Sequence, residues 1–123
     1  MVTQPNVLIQ TMRDVTIVNF EDSSILDTLQ IEKIGEVLYD LVDQRNQKKL
    51  VLDFSKVKFL SSSALGVLIT LRSKSAAIKG KLAICGLRDE LRKVFSISRL
   101  DKLFDFYDNE EKALAAFGVT RAG

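Results

Sequence analysis

Three consecutive hydroxyls, Ser61, Ser62 and Ser63, stand at the edge of the most apolar stretch of the chain, FLSSSALGVLI (59–69). A serine at such a boundary can cap a helix, its oxygen accepting from a free backbone N–H. It can also accept a phosphoryl group. Turn and cap chemistry explains one or two hydroxyls better than three. Small Ala64 and Gly66 follow, a collar that would let another protein approach the hydroxyl of Ser63.

The other reactive side chains read more plainly. Cys85 closes an apolar run and is followed by GLRDELR. A phosphatase-type loop needs arginine six places after the cysteine, but Leu91 stands there and Arg92 comes one later. A lone cysteine without a histidine to lower its pKa reads as a small buried apolar residue. Asp53 ends a predicted strand and Asp27 precedes a predicted helix, so a polar strand end and a helix cap account for them. As an acid–base pair they lack a third group. Gly66 stands alone, so neither a Walker loop nor a dinucleotide fingerprint is present. Histidine is absent and there is one cysteine, which removes the commonest general base and leaves too few ligands for the usual structural zinc sets. No cofactor or metal is expected. The seven phenylalanines lie mostly in apolar contexts and read as core rather than as a base-stacking platform.

These residues must be held by a fold, and the periodicities supply one. Val7–Gln10 and Val15–Phe20 are short and β-branched with Arg13-Asp14 between them, which predicts a hairpin. Glu21–Ser24 reads as a loop. Asp27 and Thr28 can cap a helix carrying Leu29, Ile34, Leu38, Leu41 and Val42 at near-helical spacing, ended at Asn46. Leu50–Phe54 reads as a central strand buried on both faces. From Ala64 to Lys79 strand propensity competes with helix. Helix is favoured: Ser63 can cap it, Leu65, Leu68 and Ile69 share a face, and Gly80 can stop it. Its first half is expected to be buried almost all round. Lys81–Cys85 reads as a strand, Leu87, Leu91 and Val94 as a short helix, Leu103–Phe106 as a last strand and Asn109–Phe117 as a last helix. Alternation of this kind predicts an α/β fold, a mixed but mostly parallel sheet with about four helices.

The 123 residues, 46% hydrophobic, suit one domain over 1–123 with a core at about 7–117. Eighteen basic against sixteen acidic residues give a net charge of +2, too small and scattered to point to nucleic acid. The start, MVTQPNVLIQ, has no signal-peptide pattern. The longest apolar run is far too short to cross a bilayer. No membrane partner and a cytoplasmic location are expected.

LVLDFSKVKFLSSSALGVLITL resembles the signature of STAS domains of the anti-sigma-factor antagonist type, Asp-Ser-Ser/Thr-Gly-Leu-Gly at a helix start. Ser61 takes the place of the Asp and Ala64 that of the first Gly. Ser62, Ser63, Leu65 and Gly66 match. Leu26-Asp27, Lys81–Gly86 and Val94–Leu100 are similar to further family segments, and the order of elements agrees over about 7–117. The resemblance implies a non-enzymatic partner switch. The protein would bind an anti-sigma factor that is a serine kinase, be phosphorylated at Ser63, with Ser62 as the alternative acceptor, and be restored by a phosphatase. It places the partner-binding residues at Asp27, Ser61, Ser62, Ser63, Ala64, Leu65 and Gly66. A phosphate adds about −1.5 to −2 charges, which the positive end of a helix tolerates. The same fold could instead serve as an unphosphorylated scaffold or sensor subunit of a larger assembly. A small α/β enzyme using Asp53 or Cys85 is the remaining alternative.

Overall fold

The computed structural model describes residues 6–120; the first half of the segment read for a signal peptide, 1–5, lies outside the described residues. The hairpin forms as β1 (Val7–Met12) and β2 (Val15–Phe20) around Arg13-Asp14. After it come β3 (Ser24–Ile25), α1 (Thr28–Asp43), β4 (Lys49–Asp53), β5 (Phe59–Leu60), α2 (Ser62–Ala77) and β6 (Lys81–Cys85). The chain continues through α3 (Asp89–Ile97), a 3-10 turn at Leu100–Lys102, β7 (Asp105–Tyr107) and α4 (Glu110–Ala116).

The main sheet has the order β1-β2-β4-β6-β7. Only the β1–β2 pair is antiparallel; β2, β4, β6 and β7 run parallel. Each crossover therefore steps in the same direction, and a constant right hand places α1, α2 and α3 on one face. Their apolar stripes meet Val18, Phe20, Leu50, Leu52, Leu82 and Ile84. On the opposite face Val15, Ile17, Val51, Ala83 and Cys85 are covered by Ala113 and Leu114 of α4 and by Val119. This two-sided cover makes β4 a buried central strand, as its apolar run predicts. Phe20 and Phe54 stack at 4.6 Å where β2 and β4 end.

Several expectations are corrected. Ser24 is not loop: with Ile25 it forms β3, which pairs in parallel with β5. Leu29 is 55% exposed, and the buried stripe of α1 begins at Ile31. α2 ends at Ala77, and Lys79, with φ 60°, takes the left-handed conformation just past the helix end, ahead of Gly80, the residue expected to stop it. Gly80 is needed for a different reason, since a Cβ there would lie 2.7 Å from the Lys48 carbonyl oxygen. The last strand runs from Asp105 to Tyr107, leaving Leu103 outside it and Phe104 in the core.

Candidate functional site

The parallel strands deliver their following segments to one edge of the sheet, where ligands and partners meet α/β folds. Here β3 and β5 knit two of those segments together. Ser24 lies opposite Phe59 and Ile25 opposite Leu60. The Lys58 and Phe59 N–H groups donate to the Ser23 carbonyl at 2.7 and 3.0 Å, and the Ser61 N–H donates to the Ile25 carbonyl at 3.1 Å. The starts of α1 and α2 are thereby tied side by side, which brings Asp27 onto the same edge as the three serines.

Each start is capped, differently. Asp27 is the N-cap of α1: its Oδ2 accepts from the Gln30 N–H at 3.0 Å, and the Gln30 side chain returns a bond to the Asp27 N–H at 3.4 Å. This is a capping box. Gln30 also donates to the Asp22 carboxylate and the Ser24 carbonyl, at 2.9 and 3.0 Å. The cap of α2 is Ser61, not Ser63: its Oγ accepts from the Ala64 N–H at 3.2 Å, and its carbonyl accepts the first helical bond, from Leu65, also at 3.2 Å. Ser61, where the resembling signature carries Asp, performs the cap that an Asp would also perform.

With Ser61 occupied, Ser62 and Ser63 fall on the first turn itself, and both are exposed. Neither hydroxyl has a hydrogen-bond partner among the described residues. Their backbone N–H groups precede the first intrahelical bond and are free, as the opening N–H groups of any helix are. No acidic side chain occupies this first turn. The buried stripe runs through Ala64, Leu65, Leu68, Leu71 and Ser75, so the first half of α2 is one-sided rather than buried all round, and Ile69 lies 37% exposed outside the stripe. Ala64 and Leu65, expected among the partner-contacting residues, turn into the core at 6% and 7% exposure. They fix the helix start from beneath instead of offering surface.

Gly66 lies one turn below both free serines, because positions three and four apart share a helix face. A Cβ placed on it would meet nothing within 4 Å, so no packing inside this chain requires a glycine. In the segments that lead into α1 and α2, and on the first turn of α1, Leu26, Phe59 and Leu29 are exposed at 54, 57 and 55%. Leu26 and Phe59, with Val94 and Arg88, line a cleft of about 520 Å³. Sequence reasoning did not find this apolar rim. Near-helical spacing groups Leu29 with the core stripe, and the outward turn of Phe59 depends on the two-residue β3–β5 pairing, too short to leave a periodicity.

A second polar cluster lies at the same edge on the opposite face. Asn19 of β2 donates to the Asp53 carboxylate at 3.2 Å and to Glu110 Oε2 at 2.6 Å, and Asp53 Oδ1 accepts from the Ser55 N–H at 2.8 Å. Burial, then the hydrogen bond with Glu110, raises the Asp53 pKa from 3.8 to about 6, against the lowering pull of the Ser55 N–H. Asp53 is therefore more than a polar strand end, although its partners are an amide and a carboxylate rather than a nucleophile. Asp27 makes no hydrogen bond to this cluster and is bound into the cap of α1. Cys85 is 1% exposed. No group of three or more His, Cys, Asp or Glu among the described residues could hold a metal ion, and no helix among them is long and apolar enough to cross a membrane.

Comparison with known proteins agrees with this geometry. The STAS domain family profile matches residues 6–113. BtrV of Bordetella bronchiseptica, a candidate anti-sigma factor antagonist, is 28% identical over 93 residues, spanning 76% of this chain and 79% of its own. A crystal structure of a candidate anti-sigma factor antagonist from Thermotoga maritima superimposes with a TM-score of 0.82 at 19% identity, covering 92% of this chain and 95% of the other. The Bacillus cell-fate determinant SpoIIAA is also similar, with a TM-score of 0.72 in both its phosphorylated and its unphosphorylated form. The two match at 20 and 18% identity, over 90 and 91% of this chain and 98 and 97% of theirs.

Proposed function

The chain belongs to the STAS domain family, and from that premise we propose that it is a cytoplasmic anti-sigma-factor antagonist that works by partner switching. The exposed outer face at the start of α2 binds an anti-sigma factor that is itself a serine kinase. That kinase transfers the γ-phosphoryl group of ATP to Ser63, or to Ser62 beside it, and the phosphorylated protein leaves. A phosphatase reverses the change. The chain itself performs no catalysis.

One observation carries this reading: two exposed, unpartnered hydroxyls stand on the first turn of a helix whose own cap is already supplied by Ser61. Added negative charge there meets free N–H groups and the positive end of the helix, so the domain stays folded. The same charge set into an interface against an ATP-bearing partner is repulsive. The exposed Leu26, Leu29 and Phe59 supply apolar area beside the switch, and Gly66 lets a partner backbone come close. SpoIIAA, described in a phosphorylated form of similar fold, supports the tolerance of this architecture for a phosphate.

The test is phosphosite mapping. A kinase that copurifies from the native host is incubated with ATP and with wild type, Ser62→Ala, Ser63→Ala and the double variant, and the products are analysed by mass spectrometry. The expected result is loss of the phosphate in one single variant and in the double variant. A double variant phosphorylated to the wild-type level would sink the assignment.

A further inference from the structure

The two edges of the main sheet are treated differently. β7 is three residues long and begins with Asp105, so it offers little to a further strand. β1 is six residues long, VLIQTM, without a charge, a proline or a glycine. Its register with β2 is continuous from Val7–Phe20 to Met12–Val15, so no bulge twists it away. Charges, prolines, bulges and short length are the devices by which sheets keep their edges from pairing with other chains, and β1 carries none of them.

The hairpin fixes which backbone groups are unused. A two-residue turn at Arg13-Asp14 makes Met12–Val15 a hydrogen-bonded pair, and antiparallel pairs alternate from there. The Glu21 N–H donating to the Asn6 carbonyl at 3.0 Å has the same parity. Asn6, Leu8, Gln10 and Met12 thus bond toward β2, while the N–H and C=O groups of Val7, Ile9 and Thr11 point outward. Beside this edge Leu8 is 48% and Ile9 40% exposed. The α1 side of Ile9 is a cleft of about 430 Å³ lined also by Val37 and Leu41 and by Glu36, Asp40 and Arg45, the last two bridged at 3.2 Å.

We propose that β1 pairs antiparallel with β1 of a second copy of this chain about a two-fold axis at Ile9. Val7 then faces Thr11 of the second copy, Ile9 faces its own equivalent, and Thr11 faces Val7. All the outward groups of these three residues are satisfied by six backbone hydrogen bonds, and the two sheets become one of ten strands. The strand is its own match in this register, because no paired position carries a charge and the two-fold axis therefore sets no like charges opposite one another. Because a six-residue edge is small against a standard interface, the dimer forms reversibly with concentration. The pairing is independent of the switch at α2.

Sedimentation of the full chain from micromolar to millimolar concentration is the test. The expected result is a rise from 13.8 kDa toward twice that mass, lost in Ile9→Lys, which sets two ammonium groups face to face at the axis. Ile9→Cys provides a readout that does not depend on a loss. Directly opposed residues of a hydrogen-bonded pair have Cα atoms about 5.5 Å apart, within disulfide reach. Mild oxidation should therefore cross-link Ile9→Cys dimers, and not Gln10→Cys, whose equivalents lie diagonally. A mass of 13.8 kDa at every concentration, a dimer that persists in Ile9→Lys, or equal cross-linking of the two cysteine variants would overturn the proposal.

Discussion

At one edge of the sheet, on opposite faces, two polar regions have contrary electrostatics. At the start of α2 free N–H groups and two unpartnered hydroxyls face outward and the first turn holds no acid. At the Asp53–Asn19–Glu110 cluster two carboxylates share the single amide of Asn19, and one of them is held partly protonated near neutral pH. The first region accepts a negative charge readily; the second already carries more than it can solvate. A fold can therefore gain charge in one place with little consequence for stability while a neighbouring strand end stays sensitive to the loss of a single proton. What separates the two is exposure: burial at Asp53, and at Ser62 and Ser63 open water together with a helix dipole.

The largest expected effect tests the receptive region. Ser63→Asp, or Ser62→Asp if that residue is the acceptor, should leave the circular dichroism spectrum unchanged and weaken binding of the proposed kinase partner about a hundredfold, roughly 3 kcal/mol. Titration calorimetry reads it. An unfolded variant would show that this region resists charge as the other does, and the contrast would fail.

The next effect belongs to Asp53. Its folded pKa, about 6, lies above its ordinary value of 3.8, so the folded state holds the proton more tightly than the unfolded chain does. The contribution to stability is therefore present below the lower value, declines as pH rises between the two, and remains lost above the upper one. Asp53→Asn keeps an oxygen for the Ser55 N–H and gains an N–H for Glu110, while giving up the long bond that Asp53 Oδ2 accepts from Asn19 at 3.2 Å. It should stabilise the protein by about 1–3 kcal/mol at pH 7.5 and remove that decline. Urea unfolding at pH 4.5 and 7.5 measures both; a variant no more stable than wild type at pH 7.5 would mean the carboxylate is well solvated.

Much of this was legible in the sequence. The hairpin, the alternation of strands and helices and the buried β4 follow from periodicity, because apolar spacing reports directly on burial. The placement of the three serines at a helix start was legible from their position before an apolar run. Their division of labour was not. Whether Ser61 or Ser63 caps α2 depends on where the chain leaves β5, which is set by the Ser61 N–H bonding to Ile25, a contact between residues far apart in the chain. Asp53 read as an ordinary strand end because its partners, Asn19 and Glu110, come from a neighbouring strand and from a helix across the domain. Leu65 matches the signature and Ala64 stands at its first glycine position, yet a place in a sequence pattern does not say which way a side chain faces on a helix.

Capping provides a smaller comparison. Ser61→Ala removes one acceptor and should cost about 1 kcal/mol. Asp27→Ala also abolishes the return bond of Gln30 and should cost up to about 2 kcal/mol. Denaturant unfolding of the two variants ranks them; equal losses would show that the box at α1 adds nothing to a simple cap.

Gly66→Ala has the smallest effect on the fold and separates the demands of the domain from those of its partner. A glycine inside a helix is destabilising by roughly 0.5–1 kcal/mol relative to alanine, and here the added methyl group would touch nothing. The isolated domain should therefore become more stable by about that amount, seen as a higher unfolding midpoint. If a partner backbone settles against this turn, the same methyl group stands in its way and binding should weaken although the fold has improved. Stability rising while affinity falls would locate the interface on the outer face of α2. A variant that gained stability and bound as well as wild type would place the partner elsewhere, leaving the exposed serines without the visitor that their charge is meant to repel.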